Sequence, residues 1–244
     1  MTKPTEFSES GQPIYRYNDK EKEWQPPEYG EEGWVAKIEE HVSEYIGEVD
    51  SVFHEIISDT VHLDVHLIKP TPERNYFTLF TTGMSFKPMN TPEGVEGHEY
   101  AELIICLPPD WPMEEDDLEN QNHYWPIRWL KMLARFPHDY DTWLGWGHTM
   151  PNGDPAEPLS EQTDMSGIIL LPPVDVHEDF LSLEMGDGRT ISFYAIVPLY
   201  SEEMDFKLKN GSEPLIDKFD KYGINEIINL NRRNTCKSRL KFWK

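Results

Sequence analysis

The alternation of apolar and polar positions divides the chain into helical and extended segments. From Glu32 to Gly47, apolar residues recur at intervals of three and four, the spacing of a helix that buries one face. These residues are Val35, Ile38, Val42, Tyr45 and Ile46. Gly47 stands where a glycine commonly ends a helix, so the pattern predicts a first helix that begins at Glu32 and stops before Gly47.

Three extended segments follow this helix, each rich in β-branched and aromatic residues. They cover residues 49–56, 61–68 and 75–82. Turn-forming residues separate them at 58–60 and 70–74. Consecutive strands joined by short turns pair with one another, so these segments predict an antiparallel meander.

The middle of the chain alternates between strand, helix and loop. Residues 100–107 predict a fourth strand, which two prolines end. A helix is predicted from Trp125 to Arg135, with Pro126 in the first turn, where proline is tolerated. Its apolar residues share one side: Trp129, Leu130, Leu133 and Phe136. Residues 137–158 are rich in Pro, Gly, Asp and His and predict a long ordered loop.

The last third of the chain predicts three more strands and two helices. The strands cover 167–171, 179–185 and 189–200, and the helices cover 201–211 and 214–223, each ended by a glycine. A Gly-Asp-Gly turn joins the last two strands into a hairpin. Strands dominate and helices flank them, so the fold class is α+β, with a mostly antiparallel, twisted sheet.

The same pattern predicts a single domain with two appendages. The domain covers residues 32–234. Residues 1–31 form an N-terminal extension in which Tyr15, Tyr17 and Trp24 can pack a small hairpin over 14–24. Residues 235–244 form a basic C-terminal tail, which can bind an acidic face of its own domain.

The net charge of the chain limits the kinds of macromolecule that it can bind. The chain has 45 Asp and Glu against 22 Lys and Arg, a formal net charge of −23, which repels nucleic acid and anionic membranes. No run reaches the roughly 18 apolar residues of a membrane span, and the N-terminal residues lack the apolar segment of a signal peptide. Cys106 and Cys236 form no disulfide framework and no CxxC motif. These features predict a cytoplasmic protein.

The sharpest candidate for chemistry is the run His62-x-Asp64-x-His66. On a strand these side chains share one face at a spacing of roughly 6.6 Å, so the two imidazoles can bind a divalent metal, with Asp64 as ligand or orienting partner. A further ligand, His54 or His148, is not placed by the sequence. The alternative is the polar side of a half-buried strand. We adopt this alternative and predict no metal, no cofactor and no catalytic residue.

Aromatic and acidic residues outside the periodic segments are the candidates for partner binding. Tryptophan next to flexible glycine and acidic residues is typical of an interface anchor with a polar rim, although each Trp can instead tie its loop to the core. The candidates are Trp111, Glu114, Glu115, Asp116, Asp117, Trp143, Trp146 and His148.

Four blocks of sequence, 61–94, 100–112, 124–149 and 191–208, resemble the Suppressor of Fused family in its stand-alone bacterial form. The resemblance runs from about Trp34 to Arg233. Shorter pieces are similar to the animal members: Gly83-Met84-Ser85, Tyr100-x-Glu102-Leu103, and Trp125-Pro126 with Leu133-Ala134-Arg135.

The resemblance implies a mixed α/β domain without known catalytic activity. Animal members sequester Gli transcription factors by taking an extended peptide as an added strand, which is β-augmentation. The second domain of the animal cleft is missing from this chain, so a Gli-like partner and the animal binding residues are not expected. Bacterial members resemble immunity proteins of toxin systems, and that role suits an acidic protein.

Three functions therefore remain open. The first is an immunity or antitoxin-type protein that sequesters a basic, toxin-like partner. The second is a general peptide-binding module that works by strand addition. The third is a metal-dependent enzyme that uses His62, Asp64 and His66.

Overall fold

A central sheet organises the protein. The computed structural model describes residues 4–18, 26, 28–31, 33–54 and 60–237. Within these residues, seven strands follow one another in the sheet and an eighth pairs beside them. The strands are β3 (Ser51–Phe53), β4 (Asp64–Ile68), β5 (Phe77–Thr82), β6 (Tyr100–Leu107), β7 (Thr149–Pro151), β8 (Gly167–Leu171), β9 (Ser182–Glu184) and β10 (Thr190–Leu199). A separate hairpin precedes them, β1 (Glu6–Phe7) and β2 (Pro13–Ile14).

The strand order is β3-β4-β5-β6-β10-β8-β7, with β9 paired to β10. All pairs in this sheet are antiparallel except the central one, in which β10 runs parallel to β6 with Ile191 opposite Tyr100. The predicted meander is confirmed, since β3, β4 and β5 pair in turn. The α+β class with a mostly antiparallel sheet is confirmed as well.

Helices cover both faces of the sheet. The α-helices of the described residues are α1 (Trp34–Tyr45), α2 (Gln121–Tyr140), α3 (Ser201–Asn210) and α4 (Ser212–Tyr222). On one face α2 packs through Trp125, Trp129 and Leu133 against residues of β4, β5 and β6. On the other face Ile38 and Val42 of α1 cover one half of the sheet. The second half of that face is covered by α3 and α4.

The helices predicted over 125–135 and 214–223 both begin earlier in the structure, where α2 starts at Gln121 and α4 at Ser212. The helix predicted over 125–135 is α2, which begins earlier because the Asn120 side chain accepts a hydrogen bond from Asn122 N and caps it. It also continues through Pro137 and ends at Asp141, whose φ is +52°. The first turn of the first helix was predicted to include Glu32, which lies outside the described residues. Gly47 follows α1 with φ of +147° and donates to Val42 O, as predicted.

Part of the predicted loop 137–158 is regular structure. Its first residues form the last turn of α2, and residues 149–151 form β7 at the edge of the sheet. The strand predicted over 179–185 begins as a short 3-10 helix, Glu178–Leu181, and only its second half is β9. The hairpin turn between β9 and β10 is confirmed, and Gly186 and Gly188 have φ of +87° and +93°.

Both appendages contact the domain where they are described. The hairpin of the extension is β1–β2, upstream of the predicted 14–24, of which residues 19–24 lie outside the described part. Ser10 N donates to Leu208 O, and the Tyr17 ring packs edge-on against Phe136 at 4.9 Å. Near the other end, Thr235 N and Oγ1 both donate to Glu203 Oε1. Residues 238–244 of the basic tail also lie outside the described part.

Candidate functional site

An apolar groove with an acidic rim lies beside α4. It has a volume of about 530 Å³. Its lining comes from four stretches of the chain: Trp146, the end of β8 with the segment after it, Val197 of β10, and α4 with the segment after it. These stretches are distant from one another in the sequence and together build one concave surface.

The walls of the groove are continuous with the hydrophobic core. Val197 and Phe219 line it and belong to the core cluster beneath α3 and α4, and Leu171 and Ile224 line it and pack against that cluster. Strand alternation places Val197 on this face, and helical spacing turns Phe219 inward. The walls are therefore fixed by core packing, which makes the shape of the groove a stable property of the fold.

Two large apolar side chains stand exposed at the groove. Trp146 is 46% exposed and Val174 is 66% exposed. Val174 follows Pro172 and Pro173, which cannot extend β8 as regular ladder residues because proline lacks the backbone N–H. The chain therefore leaves the sheet here and presents Val174 beside the groove. Exposed apolar residues next to a concave apolar surface are typical of a binding site.

Carboxylates form the rim of the groove. Glu213, Asp217 and Asp220 lie on α4 at intervals of four and three residues, which places them on one face of the helix, and all three are exposed. Among the residues that the structure describes, none of those that line the groove is a lysine or arginine. The two lysines of α4 lie over aromatic rings instead: Lys218 Nζ is 4.7 Å from the Phe206 ring centroid and Lys221 Nζ is 5.9 Å from that of Tyr222. The groove is therefore an anionic site.

A fourth carboxylate, Glu226, lies deeper in the lining. Its residue is 3% exposed, and its Oε1 accepts hydrogen bonds from Val174 N at 3.0 Å and Asp175 N at 2.8 Å. Asn225 Nδ2 donates to Asp175 Oδ2 at 2.5 Å. These contacts fix the segment after β8 against the segment after α4, so Glu226 holds Val174 at its place beside the groove.

Of the predicted partner-binding residues, Trp146 lines this groove. Trp143 is half-buried, packs against the core and contacts the His148 ring edge-on at 4.3 Å. Burial, with the charge of Lys207, lowers the pKa of His148 to about 4, so this imidazole is neutral at neutral pH. The loop thus has one exposed aromatic side chain, Trp146, beside a pair of rings that pack inward.

The remaining candidates lie elsewhere. Trp111 is a core residue, 6% exposed, whose Nε1 donates to His123 O at 3.1 Å and whose ring meets Trp125 edge-on. The acidic run occupies the turn before α2, where Glu114, Glu115 and Asp116 are exposed and Asp117 is half-buried. None of these residues lines the groove.

The predicted polar face of His62, Asp64 and His66 is wrong for His66. This residue is 1% exposed beneath α1, with its ring stacked on Phe80 at 4.6 Å and its Nε2 at 2.8 Å from Thr82 Oγ1. Burial lowers the pKa of His66 to about 4. The period-two alternation was correct, but α1 covers the face that was predicted to be polar.

The other two residues of that run lie near a third histidine. Asp64 Oδ1 is 3.1 Å from His54 Nδ1 and 3.6 Å from His62 Nε2. In the part of the chain that the structure describes, no group of three or more His, Cys, Asp or Glu side chains is arranged to hold a metal ion. The described helices also include none that is long and apolar enough to cross a membrane.

Comparison with known proteins assigns the chain to a family. The model of the Suppressor of fused protein (SUFU) family matches residues 59–233. The chain belongs to the Suppressor of fused family. The resemblance stated from the sequence is therefore confirmed. The matched range begins after β3, yet β3 pairs with β4 in the same sheet.

The relatives support the same fold. An uncharacterized protein of Ureaplasma parvum is 27% identical over 195 residues, 78% of this chain and 90% of that protein. The crystal structure of a putative SUFU homolog from Neisseria gonorrhoeae superposes with a TM-score of 0.61 at 19% identity, over 84% of this chain and 97% of that chain. The Sufu-Fu complex structure superposes with a TM-score of 0.55 at 12% identity, over 88% of this chain and 100% of that chain. At these identities the two structures show a shared fold.

Two of the short segments similar to the SUFU family meet inside the domain. Glu102 on β6 is 0% exposed, and its Oε1 accepts hydrogen bonds from Gly83 N, Ser85 N and Ser85 Oγ. Its Oε2 accepts from Thr81 Oγ1 at 2.6 Å. Burial raises the pKa of Glu102 to about 7 despite these donors. The segments therefore have a structural role in joining β5 to β6.

Sequence reasoning missed most of the groove. The α4 carboxylates carried a usable signal, because their four- and three-residue spacing predicts one acidic face on an amphipathic helix. Val174 and Glu226 carried none, because only the tertiary fold brings the segment after β8 next to the segment after α4.

Proposed function

We propose that this SUFU domain is a non-catalytic, cytoplasmic protein-binding domain that sequesters a basic partner protein, in the manner of an immunity or antitoxin protein. The observation that carries the proposal is the apolar groove rimmed by Glu213, Asp217 and Asp220, with Trp146 and Val174 exposed beside it. An apolar surface that excludes water, enclosed by charges of one sign, is suited to a partner of opposite charge.

Affinity and association rate have separate sources in this arrangement. Burial of Trp146 and Val174 contributes mainly to a slow dissociation, because large apolar anchors in the centre of an interface dominate its binding energy. The net charge of −23 accelerates the encounter with a basic partner at low salt. The exposed acids Glu114, Glu115 and Asp116 add to this attraction from a second site.

A SUFU relative supports the choice of a protein as ligand, since one solved structure of the fold is that of the Sufu-Fu complex. Strand addition is less favoured for this chain. The end strands of the described sheet order, β3 and β7, have three residues each and offer a peptide few backbone partners.

We also propose residues 32–234 as the boundaries of the SUFU domain, with 1–31 as an extension and 235–244 as a basic tail. The packing of Ile38 and Val42 of α1 on the sheet, together with the pairing of β3 with β4, supports an N-terminal boundary before α1 rather than at the start of the family match. Limited proteolysis with mass spectrometry should leave a resistant fragment that retains α1 and β3. A resistant fragment that starts near residue 59 would contradict this boundary.

The binding proposal is tested with variants of the exposed apolar residues. The tagged protein is used to capture partners from its native cells, and the recovered partner is purified for kinetic measurements. Val174→Asp is expected to raise the dissociation constant at least tenfold, because it places a carboxylate against the apolar contact. Met132→Asp is the matched control, since Met132 is also exposed, at 40%, but lies on α2 outside the groove.

A partner that binds both variants as tightly as the unaltered protein contradicts the groove as binding site. The immunity role has its own readout. The recovered partner should be basic, should inhibit growth when expressed alone, and should lose this effect when the SUFU protein is co-expressed. A partner that is neutral or acidic, or that has no effect on growth, removes the immunity role and leaves only protein binding.

A further inference from the structure

We propose that the groove recognises a lysine or arginine side chain of the partner, flanked by apolar residues, and that Glu226 is the group that pairs with its cationic head. This inference rests on the proposed function and names the chemistry that its binding site selects. It follows from the position and the hydrogen bonds of Glu226 rather than from the net charge of the protein.

The first observation is an unpartnered oxygen. Glu226 Oε1 accepts two backbone hydrogen bonds, whereas the buried Oε2 has no hydrogen-bond partner among the described residues. Buried polar atoms are nearly always hydrogen-bonded, and an exception calls for a physical explanation. Because Glu226 lines the groove, a donor that arrives with the ligand can satisfy Oε2 after a small displacement of the atoms that cover it.

The second observation is that Arg74, a cation in the same region of the described residues, is engaged elsewhere. Glu226 and Arg74 both act electrostatically on Tyr76 and Cys106, so they lie in the same region. The guanidinium of Arg74 donates instead to four other acceptors. These are the carbonyl oxygens of Ile46, Lys69 and Tyr76 and the hydroxyl of Thr78. Glu226 therefore remains available to a cation from outside.

The third observation concerns the walls. A lysine or arginine side chain has an aliphatic stem that packs on apolar surface while its head remains hydrogen-bonded. Val174, Ile216 and Trp146 line the groove and can take such a stem, and the face of an indole ring also attracts a cation. Asp217 and Asp220 on the rim disfavour an anionic neighbour of that side chain. The groove thus selects a basic residue between apolar ones.

The test uses peptides as defined probes. A phage-displayed library of random heptapeptides is selected on the unaltered protein, with Val174→Asp protein as the counter-selection. We expect the enriched sequences to share one Lys or Arg next to apolar residues. The best of them is synthesised with a fluorescent label, and its dissociation constant is measured by fluorescence anisotropy. A second peptide carries citrulline in place of arginine, or acetyl-lysine in place of lysine, which removes the charge but keeps most of the shape.

We expect Glu226→Gln to weaken binding of the charged peptide at least tenfold. The uncharged peptide should bind the unaltered protein more weakly than the charged peptide does, by a similar factor. Its affinity for Glu226→Gln should be little lower still, so that the two losses of affinity are not additive. Glu44→Gln is the matched control, because it makes the same chemical change at an exposed position of α1 that does not line the groove. Its effect should stay below about threefold, as for surface charge pairs.

The inference is overturned if no peptide is enriched, if enriched peptides lack Lys and Arg, or if the charged and uncharged peptides bind alike. The last comparison uses only the unaltered protein, so it holds even if Glu226→Gln fails to fold. The proposed function fails separately. If Val174→Asp abolishes capture of the partner while Glu226→Gln leaves peptide binding unchanged, the groove is the binding site and only the role of Glu226 is wrong.

Discussion

Glu102 offers a quantitative test of how the SUFU domain is held together. It is a fully buried carboxylate that accepts four hydrogen bonds, from Thr81 Oγ1 and Ser85 Oγ at 2.6 Å and from the backbone N–H groups of Gly83 and Ser85 at 3.0 Å. In Glu102→Ala these two N–H groups lose the carboxylate acceptor. Each buried donor left unsatisfied costs about 1–3 kcal/mol, so the free energy of unfolding should fall by about 2–6 kcal/mol.

Glu102→Gln separates the hydrogen bonds from the charge. The glutamine carbonyl can still accept from Gly83 N and Ser85 N, and its amide can donate to Thr81 Oγ1. Burial raises the pKa of Glu102 from 4.5 to about 7, so the folded state holds a proton that the unfolded state releases between these values. The stability due to this residue is therefore fully present below pH 4.5 and falls as the pH rises to 7, by an amount on the order of 3 kcal/mol.

The assay is urea unfolding of the unaltered protein, Glu102→Ala and Glu102→Gln at pH values from 5 to 8, where Gln acts as the uncharged control. As the pH rises, the free energy of unfolding of the unaltered protein should fall relative to that of Glu102→Gln. A shift in the opposite direction would show that the hydrogen-bond donors outweigh burial and hold the carboxylate ionised. An unfolding midpoint of Glu102→Ala equal to that of the unaltered protein would refute the structural role altogether.

Further variants test the turn at Gly83, the positions of two tryptophans and the charge of the groove rim. Gly83→Ala should lower the free energy of unfolding by more than about 2 kcal/mol in the same assay, because Gly83 has φ of +122° and an added Cβ would lie 2.1 Å from His62 O. Trp111→Ala should lower the free energy of unfolding by about 3–5 kcal/mol, because Trp111 is a core residue. Trp146→Ala should change the free energy of unfolding by less than about 1 kcal/mol and should mainly accelerate dissociation of the partner. Equal effects of the two variants on stability would contradict the buried position of Trp111 and the exposed position of Trp146. Replacement of the α4 carboxylates by lysine should slow association with the partner at least tenfold at low salt and should make the association rate less dependent on salt. The effect should be larger than that of the same replacement in the acidic run before α2. Unchanged association rates would exclude electrostatic steering by the rim. The α4 carboxylates are Glu213, Asp217 and Asp220.

Local periodicity was sufficient for most of the sheet and for the helix positions. The meander β3–β5, the hairpin β9–β10 and the packing face of α2 were predicted because each depends on neighbouring residues. The parallel pairing of β6 with β10 was not predicted, because it joins residues about 90 positions apart in the chain and both strands are buried. Nothing in a buried strand identifies its distant partner.

The failure at His66 has a similar cause. Alternation correctly divided β4 into two faces, but it cannot tell whether water or another element covers the second face. Here α1 covers it, and a histidine enters the core with Thr82 as its partner. The extent of α2 was underestimated for a different reason. Pro137 suggested a helix end, yet the helix continues to Tyr140 around it.

Tryptophan also misled in part. Trp111 and Trp146 have similar surroundings in the sequence, beside acidic residues or glycine, but one is a core residue and the other is exposed at the groove. What distinguishes them is whether another element packs over the side chain. The sequence could therefore predict only the types of residue in the site, aromatic and acidic. It could not predict which side chains surround the groove.

Site-specific photo-crosslinking tests the central claim, that the groove on α4 binds a basic protein. p-Benzoylphenylalanine replaces Val174 in one variant and Met132 in another, and both are expressed and irradiated in the native cells. We expect the Val174 variant to crosslink to a basic protein, identified by mass spectrometry, and the Met132 variant to give no such crosslink. Crosslinks to the same protein with equal yield from both positions, or none from position 174, would contradict this claim.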